Sequence, residues 1–345
     1  MPSDLDDIEQ MRLIDASGSA EQIAGFISNL VEASGYDIPR LRGASSVCMS
    51  GIGGSAMAAE VLHDYLISRS KIPVFINRNV DLPKWAGVDT LSLITSYSGN
   101  TQEALDVLGR SIEAGCIVCC ITSGGKLLER AISAGVPHVK VPEGVQPRAA
   151  LGYLLGSASS ILESVGADSP VKDIRQAAEN TRSSVERMSP TSPTEKNLAK
   201  KLAKRIFGSV PVIYAPKNIR SVAIRWQNQI NENSKMVAFS GEIPEMNHNQ
   251  MVGWLQGSKC MTCKPIFILP SKMDPTIEKM TMVTIQMFTE SGLDPLVIPL
   301  HGMTHAENLI AGIVLGDHVS YYLAILNGVD PGPVPVIQEF KARIA

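Results

Sequence analysis

The chain has 345 residues, 44% hydrophobic and 19% charged, enough for about two globular domains that each bury a core. Its net charge of -3 leaves no basic surface of the kind that binds nucleic acid, so we expect no nucleic-acid partner. The acidic start MPSDLDDIEQ and the lack of an unbroken apolar stretch of about 18 residues predict a cytoplasmic protein without a membrane partner.

Apolar runs alternate with helical patterns through the first half of the chain. The predicted strands are, in order, SSVCMS, PVFINR, LSLITS, CIVCCITS and PHVKVP. Continuous apolar strands separated by helices are typical of a parallel sheet that helices cover on both faces. This pattern predicts an α/β domain over residues 1–165, together with a helical segment at its N-terminus.

A polar segment over residues 166–198 interrupts this rhythm and predicts a helical linker, with Ser192 and Pro193 as the start of the helix that follows. Alternation then resumes over residues 199–345. The strands there are VPVIYA, MVAFSG, PIFILP and LDPLVIPL, and helices are predicted near residues 219–233, 276–292 and 305–327. The sequence therefore predicts two similar α/β units, each a mostly parallel sheet flanked by helices.

Three loops after predicted strands of the first half are rich in glycine and hydroxyl groups. They are SGIGGSA, SYSGNT and SGGK, and they carry few acidic residues. In open α/β sheets, ligands bind beyond the carboxyl ends of the strands, where helix N-termini offer free N–H groups and partial positive charge. This combination predicts a site for a phosphate monoester.

Two other interpretations of these loops remain open from the residues alone. Gly51, Gly53 and Ala56 fit the dinucleotide pattern G-x-G-x-x-A, and Arg78 at the end of the second strand could accept the 2′-phosphate of NADP. Asn100 followed by Glu103 resembles a capping box, which would make SYSGNT a helix start only.

The cysteines allow a zinc site in principle. Cys260 and Cys263 form a C-x-x-C pair, and CIVCC supplies further thiols. Cys116 and Cys119 point to opposite faces if that run is a strand, so they cannot readily bind one ion. Buried reduced thiols are the favoured interpretation, and we expect no metal site.

The quoted loops resemble a known domain. GIGGSAMAAEVL, SYSGNTQEAL and ITSGGKL resemble the sugar isomerase (SIS) domain, and PRAALGYLLG, RWQNQINENSK and GEIPEMNHNQMVGW are similar to bifunctional phosphoglucose/phosphomannose isomerases. The similarity runs from about residue 40 to the C-terminus. It implies two SIS-type units and a sugar phosphate substrate.

The resemblance also implies a reaction: reversible conversion of glucose 6-phosphate, and of mannose 6-phosphate, to fructose 6-phosphate through a cis-enediol. Glu232 in NENSK matches the base that moves the proton between C1 and C2, and His248 in PEMNHN matches the histidine that opens the ring. That histidine comes from the neighbouring subunit in the family, which implies a homodimer with shared active sites. No metal or organic cofactor is implied.

Other positions take family roles by the same resemblance. Arg148 in QPRAAL matches the arginine that stabilises the enediolate, and Lys341 matches a lysine on a last helix that returns over the pocket. The sugar- and phosphate-binding positions are Gly53, Gly54, Ser55, Ser96, Ser98 and Thr101.

Several alternatives compete with these assignments. Glu242 and Glu245 lie closer to His248 in the sequence and could be the base, and His301 and His305 could lie near the pocket. Arg148 could instead form a structural salt bridge with Glu143. The alternative function is an SIS-domain protein that binds a sugar phosphate for regulation, without catalysis.

Overall fold

The structure, a computed structural model, describes residues 4–168, 170–257 and 262–344. The chain forms two compact units. We call the first the five-stranded unit; it comprises Gly25–Arg182 and Gly302–Ile310. The second, the four-stranded unit, comprises the described parts of Met1–Ala24, Ser183–His301 and Ala311–Ala345.

The helices are numbered in chain order. They are α1 (Ile8–Ile14), α2 (Ser19–Ala24), α3 (Phe26–Ala33), α4 (Gly54–Leu66), α5 (Gln102–Glu113), α6 (Gly125–Ser133), α7 (Leu151–Ser164), α8 (Pro170–Arg187), α9 (Leu198–Ile206), α10 (Arg220–Ser234), α11 (Gln250–Gln256), α12 (Pro275–Glu290), α13 (His305–Leu326) and α14 (Pro335–Ile344). Short 3₁₀ turns occupy Lys217–Ile219 and Glu245–His248.

The strands are numbered in the same way. They are β1 (Ser46–Ser50), β2 (Val74–Asn77), β3 (Thr90–Thr95), β4 (Ile117–Thr122), β5 (His138–Lys140), β6 (Val210–Pro216), β7 (Phe239–Ile243), β8 (Cys263–Leu269) and β9 (Leu296–Pro299).

The five-stranded unit is built on a parallel sheet of order β2-β1-β3-β4-β5. Every residue of β3 and β4 is buried, which explains why these strands appear in the sequence as continuous apolar runs. On one face, Ile94 and Cys120 pack against Leu105 and Leu108 of α5 and Leu127 of α6. The prediction of a sheet covered by helices is confirmed for this unit.

The four-stranded unit contains a parallel sheet of order β7-β6-β8-β9. This order repeats that of the first four strands of the other unit, so the predicted repetition of the α/β pattern is confirmed. Its core includes Tyr214, Phe267 and Phe288. A buried ion pair joins helices α10 and α13, because Arg225 donates to both carboxylate oxygens of Asp317 at 2.8 Å each.

The division into units differs from the predicted boundaries 1–165, 166–198 and 199–345. Residues 4–24 belong to the four-stranded unit, since Asp6 accepts hydrogen bonds from Lys200 Nζ at 3.1 Å and from the Thr194 amide at 2.8 Å. Ser17 donates to Asp330 at 2.6 Å in the same unit. These polar contacts join residues far apart in the sequence, so no local pattern predicts them.

The predicted helix start at Ser192 is wrong. Helix α9 begins at Leu198, and the side chain of Asn197 caps it by accepting from the Lys200 amide at 3.1 Å. Asn197 is fully buried and its amide group also donates to the Ser189 carbonyl at 3.1 Å. A buried asparagine that satisfies the helix end and a nearby carbonyl together is the better cap here.

Helix α13 is the one described helix that is long and apolar enough to cross a membrane. Of its most apolar window, 94% is buried inside the protein. Burial against protein therefore accounts for its composition.

Candidate active site

The strand order of the five-stranded unit has its switch point between β1 and β3. These strands lie side by side, and the chain leaves them in opposite directions across the sheet. A crevice forms at the carboxyl ends of such strands, and ligands of open α/β sheets bind there. After β1 come Gly53 and, in the first turn of α4, Gly54 and Ser55. The loop after β3 contains Ser96, Ser98 and Thr101. The structure therefore brings these two sets of predicted residues to one crevice.

The hydroxyl groups of this crevice have different roles. Ser96 is buried and donates to Thr101 Oγ1 at 3.0 Å, which closes the loop after β3 upon itself. Ser55 Oγ accepts from the Tyr97 amide at 3.1 Å, so it ties the loop after β1 to the loop after β3. The side chain of Ser98 is exposed. Ser98 is thus the hydroxyl that a ligand reaches most directly.

The loop SGGK supports the loop SYSGNT through backbone contacts. A Cβ at Gly99, where φ is +65°, would lie 1.7 Å from the Gly124 carbonyl oxygen. The amide of Leu127 donates to the Gly99 carbonyl at 2.8 Å, and the amide of Lys126 donates to Asn100 Oδ1 at 3.2 Å. Glycine is required where two backbones approach this closely. The third glycine-rich loop therefore fixes the shape of the second.

The residues that precede the helices at this edge do not cap them with their side chains. Helix α4 is preceded by Gly53, α5 by Thr101 and α6 by Gly124, and none of these three residues makes a capping side-chain hydrogen bond. First-turn N–H groups have no partner inside a helix, so those that nearby loops leave free are available to an anion or to water. In α6 the Lys126 and Leu127 amides instead donate to the loop SYSGNT. The capping-box interpretation of Asn100 is wrong, because Asn100 bonds to the neighbouring loop instead of capping α5.

Arg148 lies next to the first glycine-rich loop. It is 5% exposed, and a Cβ at Gly54 would lie 3.2 Å from the Arg148 Cα. Glu143, its suggested structural partner, forms an exposed ion pair with Lys140 at 3.1 Å. The structure therefore brings Arg148 and Gly54 together.

The dinucleotide interpretation does not fit the structure. The sheet order β2-β1-β3-β4-β5 differs from the 3-2-1-4-5-6 order of dinucleotide-binding domains. Arg78, the residue suggested for a 2′-phosphate, donates to the buried Glu60 carboxylate at 2.7 Å from Nη2 and 3.2 Å from Nε. The guanidinium is partly exposed, but the Glu60 carboxylate already neutralises its charge and engages two of its nitrogens, which disfavours a role in holding a phosphate.

In the four-stranded unit, the motif NENSK forms the end of α10. Asn231 accepts from the Ala238 amide at 3.0 Å, Asn233 donates to Ser320 Oγ at 2.9 Å, and Ser234 donates to the Ser320 carbonyl at 2.7 Å. Lys235 adopts a left-handed conformation, with φ of 54°, and ends the helix. Glu232, with a half-buried side chain, sits within this rigid helix end. The neighbouring polar residues of the motif thus fix the backbone that carries Glu232.

His248 lies in the short turn between β7 and α11. Asn247 donates to Thr284 of α12, and Asn249 donates to Glu245 Oε1 at 2.7 Å and caps α11. The side chain of His248 is exposed. The two asparagines of PEMNHN therefore anchor a turn that directs its histidine outward.

Glu232 and His248 occupy opposite ends of the four-stranded unit. The last turn of α10 adjoins Ala238, just before β7 begins, whereas His248 follows the end of β7. The first turn of α10 lies at that far end too, where Arg220 approaches Glu242 to 3.8 Å. Five residues of strand span about 16 Å. Within one chain, the two groups are therefore too far apart to act on one sugar ring.

The remaining predicted polar residues lie elsewhere. Lys341 is on α14, whose side chains from Pro335 to Arg343 are all exposed, so its placement over a pocket stays a prediction. His301 is exposed. His305 Nε2 lies 3.1 Å from the carbonyl of Asp64, near the end of α4 and so away from the crevice at the start of that helix, and burial lowers its pKa.

The described cysteines are free thiols. Burial raises the pKa of Cys119 and Cys120 to about 12 each, so both stay protonated. Among residues 4–168, 170–257 and 262–344, no group of three or more His, Cys, Asp or Glu side chains could hold a metal ion. Cys260, half of the C-x-x-C pair, lies outside the described residues.

Sequence reasoning missed two features of this site. They are the contact between Gly99 and Gly124, and the side chain of Tyr97, which is 5% exposed at the centre of the loop SYSGNT. A large aromatic residue within a loop of small residues is the one signal that pointed to the second.

Comparison with known proteins identifies the family. Residues 195–344 match the family described as bacterial phospho-glucose isomerase C-terminal SIS domain. The chain is 35% identical to the bifunctional phosphoglucose/phosphomannose isomerase of Caldicellulosiruptor bescii over 304 residues, which cover 87% of this chain and 89% of the relative. It is 33% identical to the D-glucosamine-6-phosphate 4-epimerase of Sulfolobus acidocaldarius, covering 70% of this chain and 74% of that protein.

A solved structure shows the same fold. The glucose-6-phosphate isomerase-like protein of Thermus thermophilus superposes with a TM-score of 0.66 at 20% identity, covering 99% of each chain. The relative from Caldicellulosiruptor bescii matches the chain along most of its length, and from this similarity it follows that the chain belongs to the family of bifunctional phosphoglucose/phosphomannose isomerases.

Proposed function

We propose that the protein is an isomerase that interconverts glucose 6-phosphate and mannose 6-phosphate with fructose 6-phosphate through a cis-enediol intermediate. The observation that carries the proposal is the 35% identity to a bifunctional phosphoglucose/phosphomannose isomerase along nearly its whole length. The phosphate crevice of the five-stranded unit supports the same substrate class independently, because its hydroxyl groups and helix ends suit a phosphate whatever the relatives do.

The phosphate is held by the loops after β1 and β3. Ser98 and the outermost N–H groups of α4 and α5 bind its oxygens, and the partial positive charge of the helix ends favours a dianion. Ser55 and Ser96 mainly stabilise the conformation of the loops, since their hydroxyl groups already form hydrogen bonds within the protein. The loops act as a preformed anchor for one end of the sugar.

Glu232 is the base that transfers the proton between C1 and C2. A carboxylate near C1 and C2 removes the proton from one carbon and returns it to the other, and its rigid helix end limits the reorganisation this needs. Arg148 provides a fixed positive charge that stabilises the negative charge developing on the enediolate oxygen. In a water-poor site such a donor is worth about 3–4 kcal/mol of the barrier.

His248 opens the sugar ring from a second copy of the chain. The separation of Glu232 and His248 within the four-stranded unit supports this arrangement. The surface beside His248 supports it too: helix α12, to which Asn247 is bonded, exposes Met280, Val283 and Met287 while it buries Thr281 and Thr284. An exposed apolar stripe is typical of a surface that another protein covers. We therefore propose a homodimer with shared active sites.

The test is a coupled assay on the purified protein with glucose 6-phosphate and mannose 6-phosphate, with a metal chelator present. We expect turnover of both. The relative from Sulfolobus acidocaldarius makes glucosamine 6-phosphate the third substrate to assay, with C4 epimerisation followed by NMR. Loss of activity on adding the chelator would reject a metal-free mechanism, and epimerisation without isomerisation would replace the proposed reaction.

Substitution separates an enzyme from a sugar-phosphate sensor. Glu232→Gln keeps the size of the side chain but cannot accept a proton, so we expect fructose 6-phosphate to bind normally while turnover falls by at least about 1,000-fold. Glu242→Gln is the matched control, because Glu242 is also half-buried and faces Arg220. Full activity in Glu232→Gln, or a larger loss in Glu242→Gln, would overturn the assignment of the base.

A mixing experiment tests the shared site. Chains with Glu232→Gln and chains with His248→Ala are each expected to be inactive. Co-expression places an intact pair of groups in one site of each mixed dimer, so activity should return to about a quarter of the wild-type value per chain. No recovery in mixed dimers would show that both groups act from one chain.

A further inference from the structure

Tyr97 connects the loop SYSGNT to the segment that carries Arg148. Its side chain is 5% exposed, and its hydroxyl donates to the Pro142 carbonyl at 3.0 Å. The same hydroxyl accepts from the Val145 amide at 3.2 Å. One phenol group thus satisfies both a carbonyl and an amide of a loop that has no regular structure.

The backbone of Tyr97 is held as firmly as its side chain. Its amide donates to Ser55 Oγ at 3.1 Å. Its carbonyl accepts from the Ser123 amide at 2.9 Å and from Ser123 Oγ at 2.6 Å. Tyr97 therefore links all three glycine-rich loops and also reaches the segment from Pro142 to Arg148.

That segment is held from two sides. Val145, which Tyr97 binds, lies three residues before Arg148, and the Gln146 carbonyl then accepts from the Ala149 amide at 2.8 Å, so the chain turns into α7. On the other side, a Cβ at Gly54 would lie 3.2 Å from the Arg148 Cα. Small shifts of this backbone would move the guanidinium group directly.

We propose that Tyr97 is a positioning residue: its hydroxyl fixes the segment 142–148 and thereby holds Arg148 at the place where the enediolate charge develops. This inference rests on the proposed function. It adds a residue that contacts neither the phosphate nor the reacting carbons, and it explains why a buried tyrosine interrupts a loop of small residues.

The electrostatic surroundings agree with a hydroxyl that keeps its proton. Burial raises the pKa of Tyr97, the nearby charge of Glu143 adds to the rise, and the hydrogen bond from Val145 opposes it in part. A protonated phenol is needed because it must donate to the Pro142 carbonyl while it accepts from the Val145 amide.

The first experiment measures steady-state kinetics of Tyr97→Phe, which removes only the hydroxyl group. We expect kcat to fall about 10- to 100-fold, since a displacement of about 1 Å of a catalytic group costs up to about 100-fold. KM and competitive inhibition by inorganic phosphate should change less than about 3-fold, because the phosphate anchor is intact. A loss that appears in KM alone would overturn the proposal.

A matched control removes a different hydroxyl from the same unit. Tyr36 donates to Glu32 at 2.7 Å on the surface, so Tyr36→Phe should leave kcat unchanged. An equal fall of kcat in Tyr36→Phe and Tyr97→Phe would overturn the proposal, since it would reflect a general loss of stability.

A double-mutant cycle tests whether Tyr97 acts through Arg148. Arg148→Lys keeps the charge but loses the planar guanidinium, and we expect the Tyr97→Phe loss to shrink to less than about 3-fold in that background. An undiminished loss in the double variant overturns the proposal. So does an Arg148→Lys variant with wild-type activity, because Tyr97 would then have no catalytic group to position.

Hydrogen exchange separates failure of this inference from failure of the proposed function. The Val145 amide should exchange at least about 10-fold faster in Tyr97→Phe than in the wild type, whatever reaction the protein catalyses. Unchanged exchange overturns the inference even if the protein is an active isomerase. Absence of isomerase activity in the wild type overturns both the proposed function and the role of Tyr97 in it.

Discussion

Replacement of Gly99 by alanine tests whether the loop SGGK fixes the shape of the loop SYSGNT. The added Cβ would lie 1.7 Å from the Gly124 carbonyl oxygen and 2.9 Å from Thr122 Oγ1. Both neighbours bond within the loops, since Thr122 Oγ1 donates to the Gly124 carbonyl at 2.8 Å. The two backbones must therefore separate by more than about 1 Å before the methyl group fits.

The cost has two parts. Alanine in a left-handed conformation costs about 1–2 kcal/mol, because φ at this position is +65°. Separation of the loops also weakens the bond from the Leu127 amide to the Gly99 carbonyl, now 2.8 Å, and the bond from the Lys126 amide to Asn100. Each lost hydrogen bond costs about 1 kcal/mol, so we expect a total loss of about 3–4 kcal/mol.

Gly135→Ala is a matched control. Gly135 has the same φ of +65°, but no atom lies within 4 Å of the Cβ it would gain. We expect only the conformational cost there, about 1–2 kcal/mol. Urea-induced unfolding followed by circular dichroism gives the difference between the two variants, and titration calorimetry with fructose 6-phosphate gives the effect on binding. If Gly99→Ala is as stable as Gly135→Ala and binds the ligand normally, the loops do not depend on this contact.

Three further outcomes are expected. Asp317→Asn leaves the buried Arg225 without its carboxylate partner and should lower the free energy of unfolding by about 3–5 kcal/mol in urea titrations. Gly54→Ala places a methyl group 3.2 Å from the Arg148 Cα, so kcat should fall about 10-fold in the coupled assay while the protein stays folded. Burial lowers the pKa of His318 below 6.5 in the folded protein. The unfolded chain therefore binds a proton at this histidine first as the pH falls below 6.5, and the free energy of unfolding decreases until the pH reaches the folded pKa. His318→Gln should show a smaller fall in melting temperature over that acid range.

Much of the fold follows from the sequence alone. The strands β3 and β4 appear as uninterrupted apolar runs because helices cover both faces of the sheet, and helix α10 was expected to within one residue of its bounds. The crevice residues could also be predicted, because parallel strands bring their carboxyl ends to one edge and hydroxyl-rich loops follow two neighbouring strands.

Local patterns were less informative about helix caps. Ser192 followed by Pro193 is a good helix start by propensity, yet the helix is capped by Asn197, which is buried between two backbone groups. Asn100 likewise has the spacing of a capping residue but bonds to the loop that contains Lys126. In both cases the hydrogen bonds that form in the folded protein differ from those that the local sequence pattern suggests, and they depend on which segments the fold brings together.

The sequence by itself determined the α/β fold class and the alternating elements, and it predicted an anionic ligand, because periodicity and loop composition are local properties of the chain. Tertiary structure decided that Tyr97 reaches Val145, that Gly99 touches Gly124, and that Glu232 and His248 lie at opposite ends of one unit. Such contacts depend on the path of the folded backbone through space, and the spacing of residue types along the chain does not encode that path.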